Sequence, residues 1–250
     1  MFRHIGKSRT LIHNIKLASL LSFVAGIVNV TGFFCVQTLT TNVTGHFAFF
    51  ADAVVNKNYN HAWVYMFYIL AFFLGAIVST FLVELVAKRN MRSVYIIPIT
   101  LEILILLVIS ILSHNAVIQN AKFIGCSLLF SMGLQNALVT SISNSVVRTT
   151  HLTGLFTDLG IELSQLFFYR KEEQIKRLKS SIKLRLVIIC FFFLGCIVGG
   201  YSYFLFGVLS LLLAVACLIS GLVYDNLKFK VVSFKRKYLI RVKNQDKLKN

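Results

Sequence analysis

The sequence predicts an all-α polytopic membrane protein of about six spans, built from two inverted three-helix repeats in which helices 1 and 4 are discontinuous. Three observations predict it: an apolar composition, a series of hydrophobic runs of crossing length, and an internal repeat.

Of 250 residues, 57% are hydrophobic, 14% are charged and one is proline, with a mean hydropathy of +0.76. Ordinary soluble domains carry about 25% charged residues. Residues 17–39, 62–87, 94–113, 121–142 and 203–224 are each long enough for a hydrocarbon core about 30 Å thick, and 184–200 is at the lower limit. The first run follows Arg3, Lys7, Arg9 and Lys16. It is too long for a signal peptide and lacks a small-residue cleavage site, so it reads as an uncleaved helix. Residues 1–222 form one transmembrane domain, with repeat A over about 17–113 and repeat B over about 121–222; residues 223–250 form a basic cytoplasmic tail.

The repeat lies in three ordered matches. Phe72-Phe-Leu-Gly-Ala-Ile-Val-Ser79 recurs as Phe192-Phe-Leu-Gly-Cys-Ile-Val-Gly199, and Thr40-Thr-Asn-Val-Thr-Gly-His-Phe47 as Thr149-Thr-His-Leu-Thr-Gly-Leu-Phe156. Gly26 and Asn29 match Gly133 and Asn136 at the same spacing. The offset grows from 107 (Gly26 to Gly133) through 109 (Thr40 to Thr149) to 120 (Phe72 to Phe192), and the basic loop at 169–183 accounts for most of that growth.

Each half then reads as a first helix, an irregular polar stretch, a short apolar segment and two full-length helices. The short segments are Val43 to Val55 and Leu152 to Phe168, and the first covers only about 20 Å at 1.5 Å per residue. If each crosses jointly with the helix before it, each half has three crossings and the second half is inverted. If each crosses independently, there are eight spans and parallel repeats. All but three of the 26 Lys and Arg lie in 1–16, 86–93, 169–185 and 225–250, and six spans put all four clusters on the cytoplasmic side with both termini.

The net charge of +17 therefore reports orientation, and no nucleic-acid partner is expected. The basic loops and tail suit anionic lipid headgroups. Residues Glu172 to Lys183 have the spacing of an amphipathic helix lying on the bilayer. Glu84 and Lys88 read as an i, i+4 interface pair, the five cysteines as small hydrophobes, and a homodimer as compatible with so short a chain.

The chemistry is expected at the breaks. Inverted repeats with broken helices are how many secondary transporters place a site near the midplane. Asn29, Thr40, Thr41, Thr44 and Gly45 in the first half, and Asn136, Arg148, Thr149, Thr150, His151, Thr153 and Gly154 in the second, are the candidate substrate-binding residues. Hydroxyl and amide side chains there cap helix starts, whose spare N–H groups and partial positive charge suit an anion or carboxylate. A purely structural capping role is the competing reading. Stretches 33–40 and 141–150 have the composition of short extended pieces. Asp158 and Glu162, on one helix face, and Glu102, central in its span, are candidates for proton or ion coupling. Asp158 and Glu162 are equally able to neutralise Arg148. No metal or cofactor site and no nucleophile motif is legible, so an enzyme is not expected.

Residues Thr40 to Gly45 after the Gly26 and Asn29 helix, Gly133-Leu-Gln-Asn136, and Val147-Arg-Thr-Thr-His-Leu-Thr-Gly154 followed by Asp158-Leu-Gly160 carry a resemblance. The chain resembles the YoaK-type family of bacterial membrane proteins over most of residues 15–222. The resemblance implies a multi-pass architecture in the bacterial inner membrane. It supplies no substrate, because the family is catalogued as a domain of unknown function. The functional expectation is a small secondary transporter or channel; the alternative is a non-catalytic accessory or sensor protein.

Overall fold

The computed structural model describes residues 2, 9–90 and 94–227. Among them the regular structure is helical: α1 Leu11–Val36, α2 Val43–Val55, α3 Tyr59–Asn90, α4 Ile96–Ser110, α5 His114–Gln119, α6 Ala121–Ser143, α7 Leu152–Phe168 and α8 Glu172–Phe206. A 3-10 turn over Gly207–Ser210 leads into α9, residues 211–227. Arg3, Lys7, Arg92 and tail residues 228–250, which the sequence reading used for orientation, lie outside the described residues.

By length and composition, Leu11–Val36, Tyr59–Lys88, Ala121–Ser143 and the stretch Glu172–Leu227 are able to cross a membrane, the last containing α8, the turn and α9. Val43–Val55 and Ile96–Ser110 are apolar but shorter. The outward face of α3 carries Trp63, Phe67, Leu70, Phe73, Leu74, Ile77 and Phe81, all exposed. A helix that presents large apolar residues outward over five turns is solvated by hydrocarbon, not water.

Inside, helices meet on glycine. A Cβ on Gly26 of α1 would collide with the Phe192 carbonyl of α8, and one on Gly195 of α8 with the Phe23 carbonyl of α1. The α3–α6 crossing is built alike, with Gly75 against the Phe130 carbonyl and Gly133 against the Phe72 carbonyl. Backbones this close maximise dispersion contact where lipid removes the hydrophobic drive. Side-chain polar groups tie the interior further: Gln135 Nε2 of α6 donates to the Leu21 carbonyl of α1 at 3.0 Å, and the Thr31 and Ser210 hydroxyls meet at 3.1 Å. Phe2 is tied to the last described helix. Phe2 is buried and stacks on Tyr95 at 4.9 Å, its N–H donates to Asp225 Oδ1 at 3.2 Å, and the Tyr95 hydroxyl donates to Asp225 Oδ2 at 2.9 Å.

Four expectations are corrected. Residues 172–183 are not a separate surface helix; they begin the continuous 35-residue α8, because nothing between Glu172 and Phe206 interrupts helical hydrogen bonding. The span expected over 203–224 is broken at Gly207, whose φ of +59° turns the chain from α8 into α9. The stretches 33–40 and 141–150 contain no strand: α1 runs to Val36 and α6 to Ser143, and left-handed residues end each. Glu84 and Lys88 form no ion pair.

Candidate functional site

The first break begins where Gln37 takes φ 52° and ends α1. The chain folds back on its own helix. Thr41 donates its backbone N–H (3.2 Å) and its hydroxyl (2.9 Å) to Asn29 Oδ1, two turns earlier in α1. The Thr38 hydroxyl donates to the Val36 carbonyl at 3.0 Å and lies 3.4 Å from the Tyr68 hydroxyl of α3. His46 Nε2 lies 2.9 Å from the Leu39 carbonyl; a carbonyl only accepts, so Nε2 bears the hydrogen and buried Nδ1 is left a bare acceptor. Asn42 caps α2 by accepting from Gly45 N–H at 3.0 Å, and a Cβ on Gly45 would be only 2.9 Å from Asn42 Nδ2.

The second break repeats the plan with a difference. Asn144 and Ser145 are left-handed (φ 54° and 63°), and the Ser143 hydroxyl accepts from Val147 N–H at 2.9 Å. His151 occupies the position of Asn42 and its ring covers Gly154 as Asn42 covers Gly45, but it makes no cap hydrogen bond. Asn136, in the position of Asn29, has a buried Oδ1 with no donor. Thr40 and Thr149 are both fully buried with unpartnered hydroxyls.

The two breaks meet. A chamber of about 650 Å³ is lined by Thr41, Asn42, Thr44 and Gly45 from the first, by Thr150, His151 and Thr153 from the second, and by Phe72 and Asn136 of α3 and α6. No formally charged side chain lines it. A second cavity of about 680 Å³ adjoins it at His151 and is lined also by Asn14, Arg148, Gly154, Asp158, Ser181 and Arg185. Asp158 and Glu162 do share one face, but their cation is Arg185 of α8, at 2.8 Å from Asp158 Oδ2 and 2.9 Å from Glu162 Oε2. Glu162 also accepts from the Ser181 hydroxyl at 2.6 Å. Arg148 makes no ion pair or hydrogen bond among the described residues and stands exposed in the cavity wall.

Sequence reasoning missed Arg185. It closes the basic loop and opens an apolar run, and that position at the foot of a span was the available signal. Glu102 lines neither cavity; it is fully buried in α4 with both oxygens unpartnered. Asn29, Thr40 and Thr149 stand behind the chamber rather than in its wall. Among the described residues no group of three or more His, Cys, Asp or Glu is placed to hold a metal, and the five cysteines are free.

Residues 17–224 match the family described as "Protein of unknown function (DUF1275)". The chain belongs to that family. Its match spans both breaks and every cavity residue named above except Asn14. Among curated proteins, this DUF1275 member is similar to the "UPF0700 transmembrane protein YoaK" of Bacillus subtilis (strain 168), 25% identical over 183 residues, which are 73% of this chain and 80% of that protein. No solved structure matches.

Proposed function

We propose that this membrane protein is a small secondary transporter or channel for an anion or carboxylate, with its route passing between the two helix breaks. The observation that carries the reading is that Thr41 to Gly45 and Thr150 to Thr153, stretches related by an offset of 109 (41 to 150), wall a single chamber. In a bilayer, irregular backbone at depth is tolerated where it is buried in protein or lines a water-filled space.

The architecture behind the reading is six crossings in two inverted repeats: α1 with α2, α3, α4, then α6 with α7, α8, α9. Support comes from the crossings, because the glycine contacts are related by the sequence repeat. Gly26 and Phe23 stand to α8 as Gly133 and Phe130 stand to α3, at an offset of 107 (26 to 133, 23 to 130). The Phe2–Asp225 bond holds the start of the chain and the end of α9 on one side, as an even number of crossings, six or eight, requires. In this reading that side is cytoplasmic, as the placement of the basic clusters favours, and the membrane is the bacterial inner membrane, as the family resemblance implies. In this reading the second cavity is the cytoplasmic vestibule, and Arg148 is its unpaired cation. Asp158 and Glu162 already compensate Arg185, which leaves Glu102 as the carboxyl available for proton coupling. The reading assigns no catalysis, and gives the basic loops anionic lipid as their partner.

The test is thermal stability of the purified, detergent-solubilised protein against a panel of anions and carboxylates, followed by uptake into liposomes. A ligand at a hundredfold excess over its dissociation constant adds about 2.7 kcal/mol. A stabilising carboxylate whose effect is lost in Arg148→Ala and which is taken up by liposomes is the expected result. No stabilisation, with Arg148→Ala indistinguishable from wild type, gives the place to an accessory or sensor role.

A further inference from the structure

The vestibule cavity carries charges of opposite sign that do not meet. Its charged lining residues are Arg148, Asp158 and Arg185. Arg185 lies against two carboxylates, Asp158 at 2.8 Å and Glu162 at 2.9 Å, so one cation faces two anions and one negative charge is left over. The surplus falls on Asp158, the outer of the two. Its side chain is 50% exposed against 14% for Glu162, and among the described residues its Oδ1 has no donor. Arg148, on the segment between α6 and α7, is exposed and likewise has no partner among the described residues. Both side chains therefore present accessible charge to one space of about 680 Å³, and no ion pair joins them.

Held apart, each charge attracts a ligand group of the opposite sign, an anion at Arg148 and a cation at Asp158. A plain carboxylate satisfies the first and is repelled by the second. A ligand with a third charge finds no free partner for it, because Arg185 is already engaged. Leu11 and the exposed Val146 make part of the same wall apolar.

Resting on the transport reading above, we infer that the substrate class is a neutral α-amino acid with an apolar side chain, bound as the zwitterion with its carboxylate on Arg148 and its ammonium on Asp158 Oδ1. A guanidinium takes a carboxylate through two parallel N–H donors. An ammonium only donates, which suits a carboxylate oxygen that lacks a donor. The cavity volume lies within the range of small-molecule sites.

The test measures dissociation constants with the full-length protein in detergent for leucine, for 4-methylpentanoate, which lacks the ammonium, for 3-methylbutylamine, which lacks the carboxylate, and for phosphoethanolamine. Leucine binds at least about tenfold tighter than either one-charge analogue, the effect of one hydrogen bond between charged groups, and tighter than phosphoethanolamine. Asp158→Asn lowers leucine to the 4-methylpentanoate level, and Arg148→Gln lowers it to the 3-methylbutylamine level. Both positions are exposed, and melting temperatures without ligand check that the variants are folded. Equal binding of leucine and 4-methylpentanoate overturns the inference while the carboxylate route stands, and so does a leucine preference that survives Asp158→Asn. Tighter binding of phosphoethanolamine overturns it in favour of a zwitterionic lipid headgroup. If 3-methylbutylamine alone binds, or none of the four does, the inference and the transport reading on which it rests both fall.

Discussion

Asn29 and Thr41 form a two-point lock, with one amide oxygen accepting both the backbone N–H and the hydroxyl of a residue twelve positions later. It holds the first break against the helix it has just left. The matching pair in the second half, Asn136 and Thr150, shares a cavity but no hydrogen bond. The two substitutions therefore differ in sign of interest. Asn29→Ala strands two donors and is expected to cost about 1–3 kcal/mol, read as a fall in melting temperature in detergent. Asn136→Ala removes an oxygen that has no partner, so its stability stays within about 0.5 kcal/mol of wild type. Equal losses at the two positions would show that the lock is not what fixes the first break.

The glycine crossings make a second contrast. Gly75 and Gly195 face neighbouring backbone carbonyls, which do not rotate away as a side chain does. Gly75→Val and Gly195→Val are expected to cost more than about 3 kcal/mol, at the upper end of overpacking penalties, and to abolish folded, monodisperse protein on size-exclusion chromatography. Gly160 has nothing within 4 Å of a built Cβ, so Gly160→Ala is the matched control and elutes as wild type. A well-behaved Gly195→Val protein would mean that α1 and α8 do not approach so closely.

What the sequence made legible was whatever depends on local spacing. Asn42 three positions before Gly45 announces a capped helix start, and Asp158 four before Glu162 announces a shared face; both hold. What it hid depends on distant partners or on continuation. Nothing local says that the cation for Glu162 is Arg185, on the next helix, rather than Arg148, ten residues before Asp158. The change from polar to apolar at residue 184 looked like a boundary, yet a helix ends where its hydrogen bonds end, and α8 continues through it. The asymmetry of the breaks was equally invisible, because an Asn in the matching register does not reveal whether its partner has closed on it.

The Arg185 cluster predicts its own energetics. Glu162 has a side chain 14% exposed and Asp158 one 50% exposed, so water screens the second pair more than the first. A double-mutant cycle between Arg185→Ala and Glu162→Ala is expected to give a coupling above about 1 kcal/mol, in the range of hydrogen bonds to charged groups. The cycle with Asp158→Ala should give about 0.5 kcal/mol, as for exposed pairs. Raising salt should reduce the second coupling more than the first. Couplings of equal size would mean that Asp158 is shielded by a neighbour, such as lipid or a second copy of the chain, that covers this face.

The number of crossings is decided by where the short helices α2 and α7 lead. In the six-crossing arrangement α2 finishes the traverse that α1 began, so the turn at Asn56 and the α5–α6 junction at Asn120 are both outside. If α2 crossed by itself, the two positions would be inside and the basic end of α3 outside. Lys171, between α7 and α8, is inside in either arrangement and serves as the control. Single cysteines at Asn56, Asn120 and Lys171, all exposed positions, would be placed in a background with the five native cysteines replaced. They would then be treated in intact cells with a membrane-impermeant maleimide. Labelling of Asn56→Cys and Asn120→Cys, with Lys171→Cys protected until the cells are opened, is the expected pattern. Protection of all three would establish eight crossings and parallel repeats. It would also remove the argument for a chamber at mid-depth, because two helices that each cross alone do not leave their starting ends inside the bilayer.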